Sequence, residues 1–248
     1  MEVPESSVFY STARGQLAWA LRREGRNEDA LRTASEALEL SADRNLKIQL
    51  GDLFRSLEYL DQAAQIFTEV INEDAEANTK DWRLYYARGA IREQLDMWPE
   101  GEADLLIALD LAPRQPALLN YLGYSWIDRG ERLEQSLEMI ETAVALRPNA
   151  GFIVDSLGWA HYQLGDYEQA VEHLERAVEL SPSDADLNYH LGHAYWQVGR
   201  KTEAKFQWIR VLKIDPDHED AEAIRAKLEN GLPQTNTSPP ALSQQTSP

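Results

Sequence analysis

A repeated segment is the feature that most limits how this chain can fold. Leu157-Gly158 and Leu191-Gly192 lie 34 positions apart in a chain of 248 residues. A fixed period of about 20 to 50 residues indicates an array of stacked units, in which each unit contacts only its neighbours. The chain is therefore predicted to present an extended binding surface. The two segments share four further positions: Ala160 and Ala194, Gly165 and Gly199, Ala170 and Ala204, and Pro182 and Pro216.

The period continues through most of the chain. With the Leu-Gly pair placed at positions 7 and 8 of a unit, six units can be assigned. An extension over residues 1–10 precedes them, and residues 78–81 form an irregular join. Arg88 replaces the usual leucine in the third unit. The predicted units are 11–43, 44–77, 82–115, 116–150, 151–184 and 185–218.

Each unit shows the pattern of two amphipathic helices. In unit 151–184, apolar residues recur at helical spacing on both sides of Gly165-Asp166, and the second run ends at Ser181-Pro182. Small residues recur inside these helices, although a glycine within a helix costs about 1 kcal/mol relative to alanine. We therefore interpret the small residues as sites where two helices approach closely.

The Leu-Gly, alanine and proline positions resemble those of the tetratricopeptide repeat. The resemblance covers residues 11–218. It implies an all-α solenoid of helix-turn-helix units that winds as a right-handed superhelix, and it implies protein binding. The run from Tyr121 to Arg200 is also similar to the C-terminal repeats of longer bacterial tetratricopeptide proteins.

The two ends of the chain differ from the repeats. Residues 219–230 are predicted to form a capping helix, with Ala221, Ile224 and Leu228 on its apolar face. Residues 231–248 contain four prolines and no charged residue, which predicts a disordered tail. Because no polar capping helix precedes the first unit, we expect the chain to come from a longer array and its N-terminal face to be a site of self-association.

Charge and composition argue against several classes of partner. The net charge is −18, whereas nucleic acids and anionic membranes select clustered Lys and Arg. No apolar run reaches the roughly 20 residues that span a bilayer, so membrane insertion is not expected. The first residues lack the pattern of a secretion signal. This predicts a cytoplasmic protein as the chain stands, or a periplasmic, cell-envelope protein if the chain is a fragment of a longer exported one.

The family resemblance implies that the first helix of each unit lines a concave face. In the C-terminal half the matching positions are mostly aromatic, and exposed aromatic residues favour partner binding. In the N-terminal half they include arginines, which can bind carboxylates. Two alternatives stay open: the rings can pack between first helices, and the arginines can pair with the chain's own carboxylates. The predicted groove residues are Tyr124, Phe152, Asp155, Trp159, Tyr162, Tyr189, His193 and Trp196, with Trp19, Arg22, Arg55, Arg83 and Tyr86 in the N-terminal half.

Catalytic sequence patterns are missing from the chain. It contains no Gly-x-Gly-x-x-Gly loop, no His-Glu-x-x-His pair and no Gly-x-Ser-x-Gly elbow. We therefore predict a non-catalytic scaffold without cofactor or metal, which binds a protein or peptide in an aromatic concave groove. The alternatives are a self-assembly module of a longer repeat array and an adaptor that delivers substrates to a bacterial cell-envelope enzyme such as a protease.

Overall fold

The computed structural model describes residues 7, 9–40 and 43–230, and every regular element in these residues is an α-helix. The predicted all-α helical repeat is therefore confirmed. The predicted tail at 231–248 and most of the extension at 1–10 lie outside the described residues. The helices are α1 (Tyr10–Arg23), α2 (Asn27–Glu39), α3 (Arg44–Ser56), α4 (Leu60–Glu76), α5 (Trp82–Gln94), α6 (Trp98–Leu111), α7 (Pro116–Asp128), α8 (Leu133–Leu146), α9 (Gly151–Gln163), α10 (Tyr167–Leu180), α11 (Ala185–Gln197), α12 (Lys201–Ile214) and α13 (Ala221–Asn230).

The helices are distributed over two compact units, which are described separately. Unit 1 is Met1–Pro113 and unit 2 is Arg114–Pro248. Within each unit the helices form antiparallel pairs, α1 with α2, α3 with α4 and α5 with α6 in unit 1, and α7 with α8, α9 with α10 and α11 with α12 in unit 2. The unit boundaries of the six sequence repeats stay a prediction.

Tight turns join the two helices of each pair. In the α9–α10 turn Gly165 has a φ of 81°, a left-handed conformation that glycine adopts without strain. The backbone N–H of Asp166 donates to the carbonyl of His161 at 2.9 Å, and the Asp166 carboxylate accepts from the backbone N–H of Gln169. One Gly-Asp dipeptide thus ends α9 and caps α10. In the α3–α4 and α5–α6 turns the left-handed residues are Glu58 and Asp96, so these units lack the second glycine.

Glycines in the first helices of unit 2 allow close contact with the second helices. A Cβ atom on Gly158 would lie 2.6 Å from Leu174 Cγ and 3.1 Å from the Leu174 backbone nitrogen. A Cβ atom on Gly192 would overlap the Trp208 indole. Leu174 and Trp208 are fully buried. Glycine is therefore required at these positions by packing, despite its low helix propensity.

A buried ion pair explains why Arg88 departs from the repeat pattern. Arg88 is 9% exposed, and its Nε and Nη2 atoms donate to the two carboxylate oxygens of Asp104, each at 2.7 Å. Arg92 donates to the same carboxylate at 2.7 Å, and Arg88 also donates to the Thr68 hydroxyl at 3.1 Å. The pair joins α5 to α6 where a leucine would make an apolar contact.

Helix α13 closes the last pair of unit 2. Ile224 is fully buried and Ala221 is 6% exposed, while Leu228 packs against the same core. His218, in the turn before α13, is also buried, and its Nε2 lies 2.9 Å from a carboxylate oxygen of Asp186. The apolar face predicted for this helix therefore covers the end of the α11–α12 pair.

We expect Gly158→Ala to lower the free energy of unfolding by about 1–3 kcal/mol, because the new methyl group overlaps Leu174. Urea denaturation measures the change. Gln163→Ala, at the exposed end of α9, is the control and should change stability by less than about 0.5 kcal/mol. A Gly158→Ala chain as stable as the wild type would show that the two helices can move apart without cost.

For the buried ion pair, we expect Arg88→Leu alone to cost about 3 kcal/mol, because Asp104 keeps a buried charge with one partner fewer. The double variant Arg88→Leu with Asp104→Leu should recover most of that loss, since no buried charge is left at that contact. Urea denaturation of both variants and of Asp104→Leu completes the cycle. A single-variant loss below about 1 kcal/mol would mean that Arg92 alone compensates the carboxylate.

Candidate partner-binding groove

The first helices of unit 2 lie on the inner side of its helix stack. Helix α7 contacts α9, and α9 contacts α11, in addition to the contacts within pairs. Contacts of that extent are not found among α8, α10 and α12 in the described part of the unit. A stack that is more closely packed on one side curves towards that side, so α7, α9 and α11 line the inner face of unit 2.

Stacked rings occupy this inner face at α9 and α11. The Trp159 ring stacks on Tyr162 at a centroid distance of 4.7 Å and an angle of 5°, and on His190 at 4.3 Å. Tyr189 lies 4.6 Å from His193, whose ring is in turn 6.1 Å from Tyr162. We call Trp159, Tyr162, Tyr189, His190 and His193 the aromatic cluster. All five side chains are partly exposed.

An acid–histidine pair holds one side of the aromatic cluster. Asp155 is 5% exposed, and one of its carboxylate oxygens lies 2.8 Å from Nδ1 of His190. Burial disfavours the charged form of His190, but the charge and hydrogen bond of Asp155 together with the charges of Asp186 and Asp184 raise the pKa of His190 above its ordinary value. Oδ1 of Asp155 and Nε1 of Trp159 have no hydrogen-bond partner within the described residues.

Lys227 of α13 closes the other side of the cluster. Its ammonium group donates to the Tyr189 hydroxyl at 2.6 Å, and it lies 3.0 Å from Nε2 of His193 and 4.5 Å from the centre of the Tyr189 ring. Burial, together with the charges of Lys227 and His190, lowers the pKa of His193 to about 3. At neutral pH His193 is therefore uncharged, and its Nε2 is available to accept from Lys227.

Several carboxylates act on the Tyr124 side chain of α7. Burial raises the pKa of the Tyr124 phenol to about 12, and the charges of Asp128, Asp155, Asp186 and Glu219 raise it as well. A negative potential at Tyr124 is the common cause of these four contributions. Tyr124 therefore lies in a negative potential, and Phe152 on α9 has an apolar side chain that is 51% exposed.

Trp196 lies apart from the aromatic cluster. Its ring packs against Trp208 at 5.6 Å, and the Lys201 ammonium group lies 5.1 Å from its centre. It lines a separate cavity together with Lys205 and Phe206. The other predicted residues of unit 2, Tyr124 to His193, lie on α7, α9 and α11 as expected from their spacing.

The predicted arginines of unit 1 contact groups of their own chain. Arg22 donates to the Ser56 carbonyl at 3.0 Å. Arg55 lies 3.3 Å from the Asp52 carboxylate, and Arg83 lies 3.3 Å from that of Asp81. Trp19 packs partly buried against the core of unit 1, and burial raises the pKa of Tyr86. The assignment of all thirteen residues to partner binding stays a prediction.

Positions assigned from the repeat alone do not include two residues of the site. His190 stacks on Trp159, although it occupies a position between those that line the groove, and Lys227 reaches the site from α13. The helical spacing of His190 and His193 was the available signal for the first residue. Within the described residues, no cluster of three or more His, Cys, Asp or Glu side chains could hold a metal ion, and no helix is long and apolar enough to cross a membrane.

Comparison with known proteins identifies repeats in both halves of the chain. Family models described as a TPR repeat and a tetratricopeptide repeat match residues 158–199 and 185–218, and a third tetratricopeptide model matches residues 11–36. The TPR repeat-containing protein PA4667 of Pseudomonas aeruginosa is 29% identical over 145 residues, which are 58% of this chain and 24% of that protein. The match thus spans about a quarter of the length of this relative.

Solved structures share the fold. A thermophilic TPR protein of Thermus thermophilus, TTC0263, superposes with a TM-score of 0.62 and 20% identity over 75% of this chain and 99% of its own. YrrB, described as a TPR protein with an unusual peptide-binding site, superposes with a TM-score of 0.54 and 21% identity over 78% of this chain and 97% of its own. These solved structures show the same fold, and the repeat matches support the assignment of the chain to the tetratricopeptide repeat family.

Proposed function

We propose that the chain is a non-catalytic scaffold that binds a peptide segment of a partner protein on the inner face of unit 2. Tetratricopeptide folds serve as protein-interaction scaffolds in general. The observation that supports this particular face is the aromatic cluster, in which five partly exposed rings lie in mutual contact. Aromatic side chains in such settings are the usual anchors of protein interfaces.

The cluster is ordered before any partner binds. Trp159 is held between Tyr162 and His190, and Lys227 holds Tyr189 by a hydrogen bond of 2.6 Å. Because these rings are already fixed, little side-chain freedom is lost when a ligand covers them.

The charge of the groove selects the partner segment. The carboxylates that act on Tyr124 give the face a negative potential, and a ring face attracts cations. A segment that carries Lys or Arg beside aromatic or aliphatic residues therefore complements this surface. A partner anchored mainly by carboxylates does not, because its charge has the same sign as the carboxylates that act on Tyr124.

The two alternatives drawn from the sequence make different predictions. Self-association gives a mass that rises with protein concentration, which light scattering measures. Delivery of substrates to a cell-envelope enzyme requires binding of two proteins, of which the groove supplies one contact. The peptide-binding site named for YrrB supports the peptide class of ligand for this fold, without indicating its sequence.

We expect peptides selected from a random display library on the immobilised chain to include a group that is basic and aromatic. Phe152→Ser and Trp159→Leu should each weaken the binding of that group at least about tenfold, as loss of an anchor typically does. Phe152→Ser alters an exposed side chain and leaves the core intact. Fluorescence anisotropy with labelled synthetic peptides measures the dissociation constants.

The control for this experiment is Phe206→Ser, which removes an exposed ring from α12, outside the groove. It should leave the binding of the basic peptides unchanged, and circular dichroism should show full helicity for all three variants. Selected peptides that lack a basic residue, or that bind equally well to the Phe152→Ser and Trp159→Leu variants, would contradict the proposed groove.

A further inference from the structure

Helix α12 carries an exposed apolar face that lies outside the groove. Phe206 is 61% exposed and Ile209 is 55% exposed, one turn apart on the same side of the helix. Scattered exposed apolar residues are normal on protein surfaces, but adjacent large ones often mark a binding site. The equivalent residues of the two preceding second helices are of a different kind.

Glutamates stand at the equivalent positions of α8 and α10. Subtracting 34 from the numbers of Phe206 and Ile209 gives Glu172 and Glu175 on α10, and subtracting 34 again gives Glu138 and Glu141 on α8. Two successive helices thus carry glutamates at positions where α12 carries a phenylalanine and an isoleucine. The face of α12 is a local departure from the repeat, and the scaffold does not require it.

The charge of the helix is reversed in the same place. Helix α12 contains four basic residues and one acidic residue, whereas α10 contains one basic and four acidic residues. Three of the six lysines of the chain lie on α12, namely Lys201, Lys205 and Lys213. Lys213 occupies the position of Glu179 on α10. The chain has a net charge of −18, so this basic face is opposite in sign to the protein as a whole.

Two adjacent cavities border the apolar pair. One has a volume of about 500 Å³ and is lined by Pro182, Phe206, Ile209 and Lys213, among others. The other has a volume of about 540 Å³ and is lined by Trp196, Lys205, Phe206 and Ile209, among others. Phe206 and Ile209 form the ridge between them, and Lys205 and Lys213 stand at its two ends. Neither lysine pairs with a carboxylate within the described residues.

We propose that this face of α12 binds an acidic amphipathic segment of a partner protein. The apolar side chains of the segment would cover Phe206 and Ile209 and enter the two cavities, while its carboxylates would pair with Lys201, Lys205 and Lys213. Charge complementarity argues for this occupant, because the surface joins exposed apolar side chains to unpaired ammonium groups. The proposal concerns a second surface and does not depend on the groove.

A second copy of the chain is the competing occupant. Helix α6 exposes Leu106, Ile107 and Leu111 beside Asp110, which is the same chemistry as the proposed ligand. Binding of α6 from another copy to α12 would link chains head to tail. Molecular mass distinguishes the two occupants, because only binding of a second copy makes the chain associate with itself.

The triple variant Phe206→Glu, Ile209→Glu and Lys213→Glu tests the proposal. It gives α12 the residues that α10 carries at the same positions, so the repeat itself shows that the helix tolerates them. We expect random peptides selected on the wild-type chain to include an acidic, aromatic or aliphatic group whose dissociation constant rises at least about tenfold on the triple variant. Raising the salt concentration should weaken the binding of the same acidic peptides to the wild-type chain.

The groove variant Phe152→Ser is the matched control, and it should bind the acidic group as well as the wild type does. If the basic peptides do not bind as predicted and the acidic peptides do, the groove alone is rejected. The reverse result rejects the α12 site alone. An acidic group that is absent, or that binds equally to the triple variant, would overturn the proposal. A concentration-dependent mass by light scattering that disappears in the triple variant would assign the face to a second copy and overturn it as well.

Discussion

The close approach of the two helices in each pair is the constraint on which the rest of unit 2 depends. It is possible because Gly158 and Gly192 present no side chain to Leu174 and Trp208. When the facing residues are this small, the larger side chains of α9 and α11 must occupy the other sides of those helices. Some of them form the core with the next pair, and the remainder form the aromatic cluster. The groove is therefore a consequence of how the pairs are packed.

Much of the fold could be predicted because the repeat records backbone requirements. A left-handed residue such as Gly165 lies in the turn of each helix pair, and a contact glycine such as Gly158 lies in all first helices except α1, so both recur at similar spacing. The site could be predicted only in part, because stacking depends on side-chain directions that a position number does not contain. For this reason the spacing does not indicate that Trp196 packs against Trp208 of α12, or that His190 stacks on Trp159. Arg88 shows the same limit within the core, since its acceptor Asp104 lies on another helix.

Net charge describes the average of this surface and conceals its variation. The value of −18 excludes partners that need a uniformly basic protein, but it does not describe α12. The repeat makes that helix visible, because α8 and α10 supply an internal reference for what the scaffold requires. Differences between repeats are thus more informative about binding surfaces than the shared positions are. Residues shared between repeats reflect packing. Residues that differ on an exposed face indicate a role other than packing, such as binding.

Lys227 gives helix α13 a role in addition to covering the core. Helices that bury few residues open locally more often than helices in the core, and the buried residues of α13 are Ala221 and Ile224. Lys227 of α13 also donates the hydrogen bond that fixes Tyr189, and its ammonium group faces His193. Opening of α13 would free the Tyr189 ring and remove a positive charge from the edge of the groove. Opening of α13 and the state of the binding face are therefore coupled, so that a ligand on the inner face and the folding of α13 are thermodynamically linked.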